Sequence, residues 1–281
     1  MEFTNAVVGV QAALAGSAKD SVPTPQLFTH DFSLKDRVAL VTGAYGGLGL
    51  ETALAFVEAG ARAVYCVGRS PEPPENWRKV RDYAARMEGK AGEGRLEYVR
   101  ADATDRDKMM QIAEDIGNKE GRLDICVAAH GTRADPTDCL DLTPDVYHRV
   151  LEVNTAGALY AAQAAGKQMV RFENGGSIVL LSSMAGSVAL RNVQQVAYSA
   201  SKAAMIQMAR SMAIELGPKR IRVNSLSPGF MYTGMTAAHL DAFPDAWSDE
   251  NPLGRTAKAH EIRGVMTWLA SDASTFCTGS E

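Results

Sequence analysis

From Arg37 onward the chain alternates short apolar runs with amphipathic stretches of helical length, and this alternation most restricts its fold. The runs are Val38–Thr42, Ala63–Val67, Leu96–Arg100, Ile125–Ala129, Ser177–Leu181 and Arg222–Leu226. Most are apolar nearly throughout, not at every second residue. That is the pattern of strands covered on both faces, as in parallel sheets. Helices are expected near residues 47–59, 75–88, 106–119, 143–173, 199–216 and 259–270. Strand–helix alternation of this kind predicts one α/β domain built on a parallel sheet. Right-handed crossovers restrict it to a Rossmann-type, doubly wound topology. Such sheets bind ligands outside the carboxyl ends of their strands. The irregular stretch from Gly229 to Arg255 follows the sixth run and is placed to cover a site.

Residues 1–31 read as an irregular N-terminal arm, broken by Pro23 and Pro25, ahead of a domain over 32–281. Val7–Ala15 is mildly apolar, but Glu2 and no Lys or Arg precede it. This is neither a secretory nor a mitochondrial leader. No apolar run reaches the roughly 18–20 residues of a membrane span. The net charge of −4 offers no basic surface for nucleic acid. The four cysteines, Cys66, Cys126, Cys139 and Cys277, form no CxxC pair. They read as buried free thiols in a reducing compartment, the cytoplasm.

The first strand runs into VTGAYGGLG. Glycine lacks a Cβ, so the backbone there can turn tightly and approach a pyrophosphate. The helix that follows offers free N–H groups and the positive end of its dipole to phosphates. Thr42, Gly43, Tyr45, Gly47, Leu48 and Gly49 are the loop's candidate nucleotide contacts. The second strand ends Val67-Gly68-Arg69, without the acidic residue that would hold the ribose 2′-hydroxyl of NAD. Arg69 can meet a 2′-phosphate instead, which favours NADP(H) over NAD(H); the other reading is a solvated arginine at a strand end. Asp102, just past the third strand, either accepts from the adenine amino group or caps the helix that follows.

After the fifth strand come Ser182, Ser183 and then AYSASK, with Tyr198 and Lys202 four residues apart. On a helix that spacing sets both on one face. A tyrosine with its ordinary pKa of about 10 is a slow acid or base at neutral pH. A neighbouring ammonium favours the phenolate and is expected to lower that pKa towards the working range. Ser183 can hydrogen-bond and orient a substrate oxygen.

Together these motifs resemble the short-chain dehydrogenase/reductases of the compact type, with TGxxxGxG and YxxxK, over about residues 32–280. The resemblance implies hydride transfer between a nicotinamide and a carbonyl or carbinol carbon, with Tyr198 moving the proton. It also implies that Lys202 binds the nicotinamide ribose. Asn154, in VLEVNTAG, would be a fourth catalytic residue, holding a relay water. Thr233 would meet the carboxamide, beside a turn shaped by Pro228 and Gly229. Homodimers or homotetramers formed through the apolar helix that starts at Tyr198 are implied as well.

The chain departs from that pattern in three places. The fourth strand enters AAHG: Gly131 keeps the close approach to the cofactor, the usual asparagine is absent, and His130 reads as a packing change. The Ser183–Tyr198 interval spans 15 positions, longer than in the commonest members and similar to fungal polyol dehydrogenases and ketose reductases. The Asn and Pro of that subgroup's loop are missing, with Leu190 and Asn192 in their place. The sequence stops at TGSE, where the family continues into a seventh edge strand; six strands are expected in it, and either the sequence is cut short or the sheet ends there. Phe230, Tyr232, Phe243 and Trp247 either line an apolar substrate flap or pack it onto the body. Arg191 either meets an acidic substrate or is solvated. The expected function is NADPH-dependent reduction of a small or medium organic carbonyl, or the reverse oxidation. The alternative is a catalytically silent NADP-binding sensor on the same fold.

Overall fold

The computed structural model describes residues 25–87, 94–190, 193–242 and 251–281. Six parallel strands form one sheet: β1 Val38–Thr42, β2 Ala63–Gly68, β3 Arg95–Arg100, β4 Ile125–Ala128, β5 Gly176–Leu181 and β6 Ile221–Leu226. Their order across the sheet is β3-β2-β1-β4-β5-β6. The order reverses at β1 and β4, so a crevice opens between the carboxyl ends of these two strands.

Every residue of β1, β2 and β4 is buried. Alternate side chains feed two separate cores. Val38 and Leu40 face Met109, Ile112, Ala161 and Met205 on one side. Ala39 and Val41 face Phe56, Trp77 and Met266 on the other. The first core is closed by α3 Arg106–Glu120, α5 Gly157–Arg171 and α6 Val196–Leu216; the second by α1 Gly47–Glu58, α2 Glu75–Ala85 and α8 Arg263–Ala270. Each buried large side chain of this kind contributes on the order of 1.5–3 kcal/mol.

Several details differ from the sequence reading. The arm holds one helical turn, Leu27–Asp31, next to the domain; residues 1–24 lie outside the described residues. The expected helix 143–173 is two helices, α4 Pro144–Leu151 and α5, joined by a wide turn over Glu152–Ala156. In that turn the Gly157 N–H bonds back to the Glu152 carbonyl, five residues away, not four. The stretch after β6 is not wholly irregular. It holds β7 Met231–Tyr232, paired with β8 Ala257–Lys258, and the short α7 Ala237–Ala242. The far edge of β6 is also lined: Gly279 N–H donates to Val223 O (2.7 Å) and Ser225 N–H to Ser280 O (2.9 Å). Cys66 and Cys126 are buried, and burial raises both thiols to about 12, but Cys139 is exposed and Cys277 partly so. Among the described residues, no helix is long and apolar enough to cross a membrane.

Candidate active site

At the carboxyl ends of the strands lies a cavity of about 560 Å³. One wall is the glycine loop. Gly43 has φ of +69° and Gly47 of +51°, conformations that favour glycine. A Cβ on Gly43 would stand 2.7 Å from the backbone of His130, and one on Gly49 would stand 2.6 Å from the Gly43 carbonyl. The loop is thus pressed against the end of β4 and can hold no side chain at these points. Tyr45, Gly47, Leu48 and Gly49 face the cavity, as does Thr233 from across it. The first turn of α1 opens towards the same space, which suits a phosphate group.

The opposite wall carries Ser183, Tyr198 and Lys202, with Gly131 between the walls and Pro228 and Gly229 beside them. Lys202 and Tyr198 share one face of α6, with the Lys202 Nζ 5.6 Å from the tyrosine ring centre. The ammonium donates to the Leu181 carbonyl at 2.7 Å. Burial lowers its pKa to about 8. Tyr198 corrects the sequence reading. Its pKa is raised, because burial outweighs the opposing effects of the Ser183 hydroxyl and the Arg133 charge. Ser182, which precedes Ser183 at the end of β5, is buried and donates to the Lys202 carbonyl at 2.8 Å. Ser183 instead caps the turn Met184–Gly186 and stays within hydrogen-bonding reach of Tyr198.

Asn154 sits inside the wide turn and is fully buried. Its Oδ1 accepts from Thr132 N–H, and its Nδ2 donates to Thr132 O and to Ser201 Oγ, all at 2.8–2.9 Å. Ser201 Oγ in turn donates to the Tyr198 carbonyl at 2.7 Å. The side chain therefore ties the loop after Gly131 to the helix that carries Tyr198, one step behind the cavity. A widened helical turn at a functional position is a recurrent device.

Thr42, Arg69 and Asp102 do not line the cavity. Thr42 is buried, and its hydroxyl lies 2.6 Å from His130 Nδ1. Gly68 is covered by the rings of Tyr98 and Tyr45. Arg69 is exposed at the strand end. Asp102 accepts from both the backbone and the hydroxyl of Thr104. Burial raises its pKa, but these bonds and the Arg149 and Arg69 charges bring it below the usual carboxylate value. The helix itself starts later, capped by Asp105, which accepts from Lys108 N–H.

His130 has a larger part than the packing change read from the sequence. Its Nε2 lies 3.1 Å from the Val153 carbonyl, an acceptor, so this nitrogen carries the proton and Nδ1 accepts from Thr42. The ring bridges the end of β1 to the turn that holds Asn154. Burial, reinforced by the Lys202 charge, lowers its pKa to about 4. Its signal in the sequence is the departure from the family's usual segment. Of the expected flap aromatics, Phe230 faces the cavity, whereas Tyr232 is exposed and bonds Asp241. Phe243, Trp247, Arg191 and Asn192 lie outside the described residues.

The fold and this cavity define a nucleotide-dependent oxidoreductase class, and comparisons with known proteins agree. The family model described as enoyl-(acyl carrier protein) reductase matches residues 43–281. The chain belongs to the short-chain dehydrogenase/reductase family, oxidoreductases acting on alcohol and carbonyl groups. It is 34% identical to the sorbose reductase sou1 of Schizosaccharomyces pombe, covering 90% of this chain and 96% of that one. It is 33% identical to the NADP-dependent mannitol dehydrogenase of Alternaria alternata, covering 93% and 95%. The fold matches a short-chain type dehydrogenase/reductase from Mycobacterium marinum with a TM-score of 0.82 at 34% identity, covering 90% and 95%.

Proposed function

We propose that this chain reduces a small or medium organic carbonyl with NADPH, and that Tyr198 donates the proton. The carrying observation is the meeting of Ser183, Tyr198 and Lys202 on one wall of a cavity whose other wall is the glycine loop. When bound, the nicotinamide supplies the hydride. Ser183 donates a hydrogen bond to the carbonyl oxygen and fixes it beside the phenol. The raised pKa of Tyr198 keeps it protonated at neutral pH, the form needed for reduction. As the phenol gives up its proton, the Lys202 charge stabilises the phenolate. Asn154 and His130 hold this constellation in place, and positioning alone supplies a large share of such rate enhancements.

The glycine loop, from Gly43 to Gly49, would cradle the pyrophosphate, with Thr233, Pro228, Gly229 and Gly131 around the nicotinamide. Lys202 would also reach the ribose. Arg69 would set the preference for NADP(H) from outside the cavity, and Asp102 would lie near the adenine. Thr42 and Asn154 would act on the cofactor only through His130 and Thr132. A single domain over 32–281 carries this machinery, in a cytoplasmic setting that keeps the four thiols reduced. The outward face of α6, with Val196 and Ile214 exposed, supports a homodimer or homotetramer. The test is NADPH oxidation followed by absorbance against ketoses, aromatic ketones and oxo acids, with Tyr198→Phe alongside. Turnover that requires Tyr198 is the expected result; cofactor binding without turnover on every class would return the sensor reading.

A further inference from the structure

The substrate half of the cavity has an unusual charge balance. Its described lining contains no Asp or Glu. Its two ordinarily cationic side chains are Lys202 and Arg133. Lys202 is engaged by the Leu181 carbonyl. Arg133 follows Gly131 on the loop leaving β4, is partly buried, and has no carboxylate or carbonyl partner among the described residues. The same lining carries Met184, Leu190, Phe230 and Met235, with Gln195 and a few hydroxyls, Ser183, Thr233 and Thr236 among them, as its neutral polar groups. A polyol or ketose presents a hydroxyl on nearly every carbon. Burying those against methionine, leucine and phenylalanine would leave them without partners, which is costly. A guanidinium held free beside the reacting tyrosine matches a different ligand, because it binds carboxylates through two parallel hydrogen bonds.

We infer that Arg133 is the specificity-determining residue of this site, and that it selects carbonyl substrates bearing a carboxylate on an otherwise apolar body. This rests on the carbonyl-reductase reading above. It gives the pocket three distinct contacts: Arg133 for the carboxylate, the Met184–Phe230 wall for the carbon chain, and Ser183 with Tyr198 for the carbonyl oxygen. Arg133 and Tyr198 line the same cavity of about 560 Å³, so one small molecule can span them. A carboxylate bound there would neutralise the cation beside the phenol. The substrate would thus alter the charge around its own proton donor.

The test compares levulinate, 5-oxohexanoate and 2-oxo-4-phenylbutyrate with their methyl esters, using NADPH and the full chain. The acids are expected to have the higher kcat/KM. Arg133→Gln should cut the acid-to-ester ratio roughly ten- to hundred-fold, mainly through KM for the acid. Arg133→Lys should restore part of it, since the charge returns without the planar fork. KM for NADPH should stay within about two-fold, because a lost phosphate contact would raise it by far more. Esters that match or beat the acids, or a ratio unmoved in Arg133→Gln, would overturn the inference. So would a rise in KM for NADPH with the ratio unchanged, since Arg133 would then serve a cofactor phosphate. If ketoses or aromatic ketones are turned over and none of these compounds is, the inference fails; if no class is turned over, the reductase reading fails, and the arginine is tested separately by melting the NADP-loaded protein with 4-phenylbutyrate or 4-phenylbutyramide. Stabilisation by the acid alone, abolished in Arg133→Gln, supports the anion site; equal shifts refute it.

Discussion

The two ends of the same sheet are built on opposite principles. At the amino-terminal end, Asp124 is buried and has its polar atoms fully engaged. Its carboxylate accepts from Val38 N–H at 2.8 Å, from Arg122 at 2.7–2.8 Å and from Asn174 at 2.7 Å. Its own carbonyl accepts from Ser177 N–H. One residue thereby joins the starts of β1, β4 and β5. At the carboxyl end the same three strands run out into Gly43, into His130 and Gly131, and into Ser182 and Ser183, all of which line a cavity. Lys202 is buried with its pKa lowered, Tyr198 is held as the neutral phenol, and Arg133 has no carboxylate or carbonyl partner among the described residues. Saturated polar groups hold the strands together; unsaturated ones are available to a ligand. The comparison predicts that changes at one end affect activity and changes at the other affect stability.

The largest effect should come from Tyr198→Phe. Losing the proton donor should lower kcat by roughly 10²–10⁴-fold. Because the phenol serves chemistry and not the fold, the melting temperature should stay within about 2 °C of the wild type. A large drop in melting temperature would show that the site end is also structural and would break the contrast. Next in size, Asp124→Ala leaves the Val38 N–H without its side-chain acceptor and the Arg122 guanidinium with Asp36 alone. Breaking a buried charged network from one side costs about 3–5 kcal/mol. That should appear as a fall of roughly 10 °C on thermal melting. Turnover at a temperature where the variant is still folded should change little. Lost turnover in a folded variant would mean the two ends are coupled through the strands.

Arg69→Ser sharpens the contrast within the site end, since Arg69 lies outside the cavity itself. Removing a charge-assisted contact to a 2′-phosphate should raise KM for NADPH roughly 10–100-fold and leave NADH nearly unchanged. Steady-state kinetics with both cofactors decides it. Equal effects on the two would make Arg69 a solvated strand-end residue.

What was legible in the sequence follows the same division. The inner strands β1, β2, β4 and β5 were readable because each is a short run buried on both faces, so its composition alone marks it, whereas the edge strand β3 is only half-buried and was read from its place in the alternation. Tyr198, Lys202 and Ser183 were readable because their chemistry depends on local spacing. The β7–β8 pair was not, since two-residue strands carry no periodicity. The break at Asn154 was hidden inside a 31-residue helical pattern, 143–173, because a widened turn keeps the amphipathic character of the helices around it. The Tyr198 pKa was misread for a different reason. The Lys202 position was inferred correctly, but spacing says nothing about burial, and burial sets the sign. Thr42 was assigned to the cofactor because its place in the motif is visible, whereas its partner, His130, is 88 residues away.

His130 is the smallest effect and the finest test, because it joins the structural and the chemical sides of the fold. Its ordinary pKa is about 6.5, and in the folded chain it is about 4. Between these values the unfolded chain binds a proton that the folded chain refuses. Stability therefore rises with pH across this window. The neutral ring's contribution is complete above about pH 6.5 and is lost as the pH falls towards 4. His130→Asn cannot titrate there and also loses the bridge from Thr42 to Val153. At pH 7 it should melt below the wild type by a few degrees, and the gap should narrow as the pH falls from 6.5 to 4.5. Melting curves that stay parallel over that range would mean that His130 titrates alike in both states. The bridge would then be ordinary packing, and Asn154 would be held by Thr132 and Ser201 alone.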